Sequence, residues 1–125
     1  MGFYLGRWHL MEIKRGDIID IDFDPARGHE IRKTRPAVVV QNDIGNQYSP
    51  LVIVSPIRGA EHIKRSYPVI VSVEKGAGGL DKKSVVQCDQ IRSVDKSRIV
   101  GKRGRFSADI MRNVDAALKI SLALK

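Results

Sequence analysis

Asp17-Ile18-Ile19-Asp20-Ile21-Asp22-Phe23 places Ile19, Ile21 and Phe23 on one side of an extended chain and Asp20 and Asp22 on the other. Successive side chains of a strand point to opposite faces, so this two-residue period marks a strand with one face in the core. Pro25 and Gly28 end it and open a polar loop from His29 to Arg35, which Pro36 closes. Ala37-Val38-Val39-Val40-Gln41 follows without alternation and rich in β-branched residues, which predicts a strand buried on both faces. Asn42-Asp43 and Gly45-Asn46 read as a turn. After it, Leu51-Val52-Ile53-Val54 predicts a second doubly buried strand, antiparallel to the first.

Further along, Lys64-Arg65 precede a predicted strand from Pro68 to Val73. Gly76, Gly78 and Gly79 read as a flexible link to another strand, Ser84 to Gln87, and Ile91, Val94 and Ile99 mark one or two short pieces beyond it. At Ser107 the period changes. Ile110, Val114, Leu118 and Leu122 recur every four residues with Met111 and Ala117 beside them, the apolar stripe of a helix. Ser107 suits its N-cap and Asp109 the positive end of its dipole. Five or more short strands and one terminal helix predict a mainly β protein, a small barrel-like sheet closed by a C-terminal helix. With 125 residues the chain has room for one domain. The patterned sequence starts just after Met11, so residues 12–125 are read as that domain and residues 1–11 as an N-terminal extension, with Met11 as an alternative start.

Charge and composition narrow the function. Lys and Arg total 22 against 14 acidic residues, a net +8 that suits nucleic acid first and an acidic protein second. No segment approaches the ~20 apolar residues of a membrane span, and Arg7 and His9 break up the apolar start that a signal peptide needs. Cys88 is the only cysteine, which excludes an intramolecular disulfide and points to a reducing cytoplasm. The three scattered histidines do not make a metal site, so no metal or cofactor is expected. Positive charge gathers three times: at Arg27, Arg32, Lys33 and Arg35; at Arg58, Lys64 and Arg65; and at Lys96, Arg98, Lys102, Arg103 and Arg105. Each cluster reads either as phosphate neutralisation or as an ordinary solvated surface.

No nucleotide phosphate loop or paired-histidine metal motif occurs, and Gly76 to Gly79 lack the helix that a dinucleotide fingerprint requires. Chemistry that needs no cofactor remains. Cleavage of RNA through its own 2′-hydroxyl is one such reaction: it takes a base, an acid and a cation over the phosphorane. His29, Glu30 and Arg35 lie within seven positions, and Asp89 follows further along the chain.

Arg15-Gly16-Asp17, Asp22-Phe23-Asp24-Pro25, Gly28-His29-Glu30 and Thr34-Arg35-Pro36-Ala37-Val38-Val39 occur in this order. Gln41-Asn42-Asp43, Ser49-Pro50, Gly79-Leu80-Asp81, Asp89-Gln90-Ile91-Arg92 and Asp95-Lys96 continue it. In number, order and spacing these pieces resemble the MazF/PemK toxins of type II toxin–antitoxin systems, from about Lys14 to Leu124. The resemblance implies an SH3-like barrel of the kind shared by CcdB and PemK toxins, a homodimer, and an acidic antitoxin that occludes the site. It also implies metal-independent, sequence-specific endoribonuclease activity on single-stranded RNA such as mRNA.

Carried over by position, Arg35 matches the catalytic arginine of the family, and His29 and Glu30 match loop positions that bind RNA or assist catalysis. Asp89 matches an aspartate proposed as the base in one branch, and Gln87 falls where that branch has an arginine and other members contact RNA. Arg32, Lys33, Thr34, Lys64 and Arg65 are the further expected RNA contacts. One position departs from the family: Arg58 stands where a catalytic threonine is usual. Arg58 either supplies a second guanidinium to the scissile phosphate or fills the groove and weakens the toxin. The alternatives are therefore a non-catalytic nucleic-acid binder or gyrase inhibitor on the same fold, or an inactivated toxin.

Overall fold

A computed structural model describes residues 12–125, so the expected extension and the alternative start lie outside the described residues. Among the described residues there are seven strands: β1 (Asp17–Asp22), β2 (Thr34–Val39), β3 (Leu51–Gly59), β4 (Ile70–Val73), β5 (Ser84–Gln87), β6 (Arg92–Asp95) and β7 (Ile99–Arg105). A short helix, α1 (Asp43–Tyr48), joins β2 to β3, and α2 (Ala108–Ser121) follows β7. The sheet runs β4-β5-β3-β2-β1-β7, with β6 also on β3, and every pairing is antiparallel. It does not close into a barrel: β4 and β7 remain its two ends. The mainly β architecture with a C-terminal helix is as the sequence predicts.

Both faces of the sheet carry core. Ile19, Ile21 and Phe23 meet Ala37, Val39, Val52, Val54 and Val94 on one face. Ile18, Val38, Ile57, Val71 and Val86 form the other with Phe106, Val114 and Ala117. Of the predicted strand Ala37 to Gln41, Ala37 to Val39 are buried on both faces, because α2 covers one side and the first cluster the other. The strand starts earlier, at Thr34 in the expected loop, and ends at Val39. Leu51 to Val54 departs from expectation. Val52 and Val54 are buried, but Leu51 is 44% and Ile53 38% exposed, because α2 packs over Ile18, Val38 and Val71 and does not reach this end of β3.

Some local predictions are corrected and others made definite. Asn42 to Asn46 form a helix start rather than a turn: the Asn42 side chain accepts from the Gly45 N–H at 2.8 Å as the N-cap. Asn46 is buried there, donating to the Gln41 carbonyl at 3.0 Å, while its own carbonyl accepts from Lys96 Nζ at 2.5 Å. The glycines at 76, 78 and 79 make a tight 3-10 turn (Ala77–Gly79) wedged against β7, not a flexible link. The basic stretch after Lys96 is a 3-10 turn (Lys96–Arg98) and then β7, whose strand character is masked by Gly101, Gly104 and its cations. The predicted strand at Pro68 begins at Ile70, after a turn, and the predicted helix follows Ser107, whose hydroxyl caps it by accepting from the Ile110 N–H at 3.2 Å.

Candidate active site

The loop between β1 and β2 is held at both ends. Phe23 N–H donates to the Lys33 carbonyl at 2.9 Å, and Lys33, at φ 67°, donates its own N–H to Asp24 Oδ1 at 2.9 Å. Arg98 reaches across from the turn before β7 and donates to the carbonyls of Asp22 and Asp24 at 3.0 and 2.5 Å. Inside the loop, Glu30 Oε1 accepts from the Arg27 N–H at 2.7 Å, and Arg32 Nη2 donates to the Gly28 carbonyl at 2.7 Å. Ile31 is buried in the core, which leaves its neighbours His29, Glu30 and Arg32 exposed on the surface.

A second element meets this loop. β3 pairs with β5 at Ile57↔Val86 and with β6 at Val54↔Arg92. Three residues of advance on β3 thus match six on the partner, and the surplus loops out at Cys88 to Ile91. Asp89 is exposed on this bulge, while Gln90 Oε1 accepts from the Ile31 N–H at 2.8 Å and ties bulge to loop. Arg92 lies over the Phe23 ring at 5.7 Å, a cation–π contact that fixes the start of β6.

Two adjoining clefts result. A smaller one, about 220 Å3, is lined by Gly28, His29, Glu30, Ile31, Arg32, Arg35 and Arg58. A larger one, about 660 Å3, shares His29, Glu30 and Ile31 and continues along Asp89, Gln90, Ile91, Arg92 and Ser93. Arg35 comes from β2 and Arg58 from β3. Both lie past the Ala37↔Pro56 end of the β2–β3 ladder, in step with Ala37 and Pro56, on the side of the sheet away from α2, and both line the smaller cleft. Arg35 Nε donates to the Arg32 carbonyl at 3.2 Å.

The structure thus brings together Arg35, Arg58, His29, Glu30 and Arg32, and sets Asp89 in the adjoining cleft. It does not bring Lys33, Thr34, Lys64 or Arg65 to either lining. Thr34 is opposite Asp22 in the β1–β2 ladder, and Lys64 and Arg65 are in the exposed connection before β4. Gln87 is buried in β5 beside the clefts and lines neither. Gln90 and Arg92, to which the sequence assigns no role, shape the larger cleft; their signal is the run Asp89-Gln90-Ile91-Arg92 itself.

The electrostatics separate the basic clusters. Every cation of the third is engaged within the chain: Lys96 and Arg98 bond to carbonyls, Lys102 and Arg105 face the buried Asp17 at 3.0 and 3.7 Å, and Arg103 pairs with Asp20 at 2.9 Å. Arg32, Arg35 and Arg58 pair with no carboxylate among the described residues. Three guanidinium groups beside one imidazole and one carboxylate form a site for a phosphodiester, with groups able to donate and accept protons at its edge.

The chain matches the model of the PemK-like, MazF-like toxins of type II toxin–antitoxin systems over residues 14–122. Its fold is similar to the crystal structure of MazF from Deinococcus radiodurans, with a TM-score of 0.76 and 26% identity, covering 90% of this chain and 97% of that one. It is also similar to an endoribonuclease in complex with its cognate antitoxin from a mycobacterial species, with a TM-score of 0.74, 19% identity, and 90% and 97% coverage. The Mycobacterium tuberculosis toxin MazF-mt6 superimposes with a TM-score of 0.71, 21% identity, and 89% and 99% coverage. Matched over nearly its whole length, the chain belongs to the PemK-like, MazF-like toxin family of type II toxin–antitoxin systems.

Proposed function

We propose that this toxin is an endoribonuclease that cuts single-stranded RNA through the substrate's own 2′-hydroxyl. The observation that carries this reading is the convergence of three carboxylate-free guanidinium groups with His29 and Glu30 in one cleft. The 2′-oxygen attacks phosphorus as its proton passes to a base, and the 5′-oxygen leaves with a proton from an acid. The products are a 2′,3′-cyclic phosphate and a 5′-hydroxyl. Arg35 stabilises the phosphorane charge from the strand that frames the cleft. His29 and Glu30 are the proton carriers that share its cleft lining, and Asp89 contacts the RNA chain further along the larger cleft. No step calls on a metal or cofactor.

The partners follow from the same surface. An acidic antitoxin segment laid over the unneutralised arginines competes with RNA, in keeping with the neighbours solved with their antitoxins. α1 presents Ile44 and Tyr48, 76% and 70% exposed and one turn apart, beside the outward Leu51 and Ile53 of β3. An apolar surface of this kind suits pairing with a second copy of the chain. A single buried thiol and an RNA substrate support a cytoplasmic location.

The test is cleavage of a long RNA by purified protein with EDTA present. Fragments with 5′-hydroxyl ends are expected, and Arg35→Ala should cut about a hundredfold to a thousandfold more slowly. RNA that is bound but left intact would favour a non-catalytic binder, and 5′-phosphate ends would overturn the 2′-hydroxyl route.

A further inference from the structure

Arg58 and Gln87 share a face of the sheet and a peculiarity. Arg58 pairs with Val85 across the β3–β5 ladder, and Gln87 lies two residues on from Val85 on the same face of β5, just past the Ile57↔Val86 pair. They are diagonal cross-strand neighbours, a separation that long side chains span. Gln87 is only 6% exposed, yet its Oε1 is buried with no hydrogen-bond partner among the described residues, and the same holds for Arg58 Nε. A buried donor and a buried acceptor left unsatisfied side by side destabilise the fold, so their retention calls for a use. Arg58 also shares the lining of the smaller cleft with Arg35, and two guanidinium groups in one cleft repel unless an anion lies between them.

We propose that Arg58 is a catalytic residue, a second guanidinium on the scissile phosphate, and that Gln87 is the positioning residue that holds it there. This rests on the RNA-cleavage reading above. A phosphate takes the two Nη groups in a bidentate grip, and Nε–H turns onto Gln87 Oε1. The pair is thereby satisfied in the complex and not before it. Gln87 touches no RNA; it acts through Arg58.

The experiment measures single-turnover cleavage of a defined RNA oligonucleotide over a range of protein concentrations, together with thermal unfolding, for wild type, Gln87→Leu, Gln87→Glu, Arg58→Lys, Arg58→Ala and the Arg58→Ala/Gln87→Leu double variant. Gln87→Leu removes an orphaned acceptor at similar volume, so its unfolding midpoint should equal or exceed that of wild type. Its maximal cleavage rate should nevertheless fall about tenfold, with half-saturation unchanged. Gln87→Glu keeps the acceptor and should retain activity, Arg58→Lys should fall between wild type and Arg58→Ala, and Gln87→Leu should have no further effect once Arg58 is alanine. A Gln87→Leu protein that cuts at the wild-type rate, or one whose loss persists undiminished beside Arg58→Ala, overturns the couple while leaving RNA cleavage intact. If Gln87→Leu fails to fold, a loss of activity in a folded Gln87→Glu protein overturns it, and retained activity supports it. An Arg58→Ala protein as active as wild type overturns Arg58 itself. A wild-type protein that cuts no RNA overturns both readings.

Discussion

Arg35 owes its position to the residue after it: Pro36 keeps Arg35 extended, and β2 carries the guanidinium to the cleft while Ala37 enters the core. A guanidinium grips phosphate through a planar fork that an ammonium lacks. Arg35→Lys should therefore cut RNA more slowly than wild type and faster than Arg35→Ala, with unfolding midpoints alike, in a comparison of single-turnover rates and thermal melts. Cys88 shows the opposite case, a reactive residue type held inert. Burial pushes its thiol up to about 11, with the Ser55 hydroxyl beside it offsetting part of the rise. Thiolate is the reacting form, so the folded protein should resist a thiol-specific alkylating reagent near pH 8 and react once urea unfolds it. Rapid labelling of the native protein would contradict the burial.

At the level of elements, the turn at residues 77–79 is fixed by close packing. A Cβ on Gly78, at φ 59°, would meet Ile18 Cγ1 at 2.6 Å, whereas one on Gly76, at φ 96°, would meet nothing within 4 Å. Gly78→Ala should cost about 1–3 kcal/mol, and Gly76→Ala only the backbone share of roughly 1 kcal/mol, both measured by urea unfolding. α1 is secured differently. Asp43 accepts from the Arg15 N–H at 2.7 Å and from Asn46 Nδ2 at 3.0 Å, and these bonds hold its carboxyl below the ordinary 3.8. A depressed carboxylate contributes stability that is present above its unfolded value and is lost as pH falls through the folded one. Asp95, capping the turn before β7 through the Ser97 side chain and N–H, behaves in the same sense. Melting midpoints should accordingly drop as pH falls below about 4, and less so in Asp43→Asn, whose amide oxygen still accepts.

For the whole molecule, +8 is a misleading figure until the ion pairs are counted. The cations of β7 face Asp17 and Asp20 of β1, so in the clefts the field that reaches a polyanion comes from Arg32, Arg35 and Arg58. Arg103→Ala should thus change RNA affinity less than Arg32→Ala does, and the slope of log affinity against log salt should flatten for Arg32→Ala alone. The proposed pairing rests on the apolar side. Ile44→Glu and Tyr48→Glu alter exposed side chains, so the fold should persist while sedimentation shifts from dimer to monomer. A wild-type protein that sediments as a monomer at micromolar concentration would remove the basis for the pairing.

The sequence by itself determined whatever depends on local order. The strand at β1 with Ile19, Ile21 and Phe23 in one core, the β-branched Ala37 to Val39 of β2, the stripe of α2 up to Leu118 and the capping Ser107 are written in adjacent residues and hold in the structure. The other face of β1, expected to be polar, instead buries Ile18 under α2, and Leu122 ends up exposed. Arg35, His29 and Glu30 were legible for the same reason: seven positions of chain carry all three, His29 and Glu30 in the loop and Arg35 at the start of β2. The tertiary structure alone decided what depends on register between distant segments. The surplus of residues at Cys88 to Ile91 appears only when β5 and β6 are laid against β3, and with it the cleft that Asp89 shares with the first loop. The neutralised cations of β7 could not be told from those of the first loop that pair with no carboxylate, because their partners, Asp17 and Asp20, are some eighty residues away in sequence. Gln87 stands beside Arg58 through a strand pairing that spans 29 positions of chain, a relation no local pattern encodes.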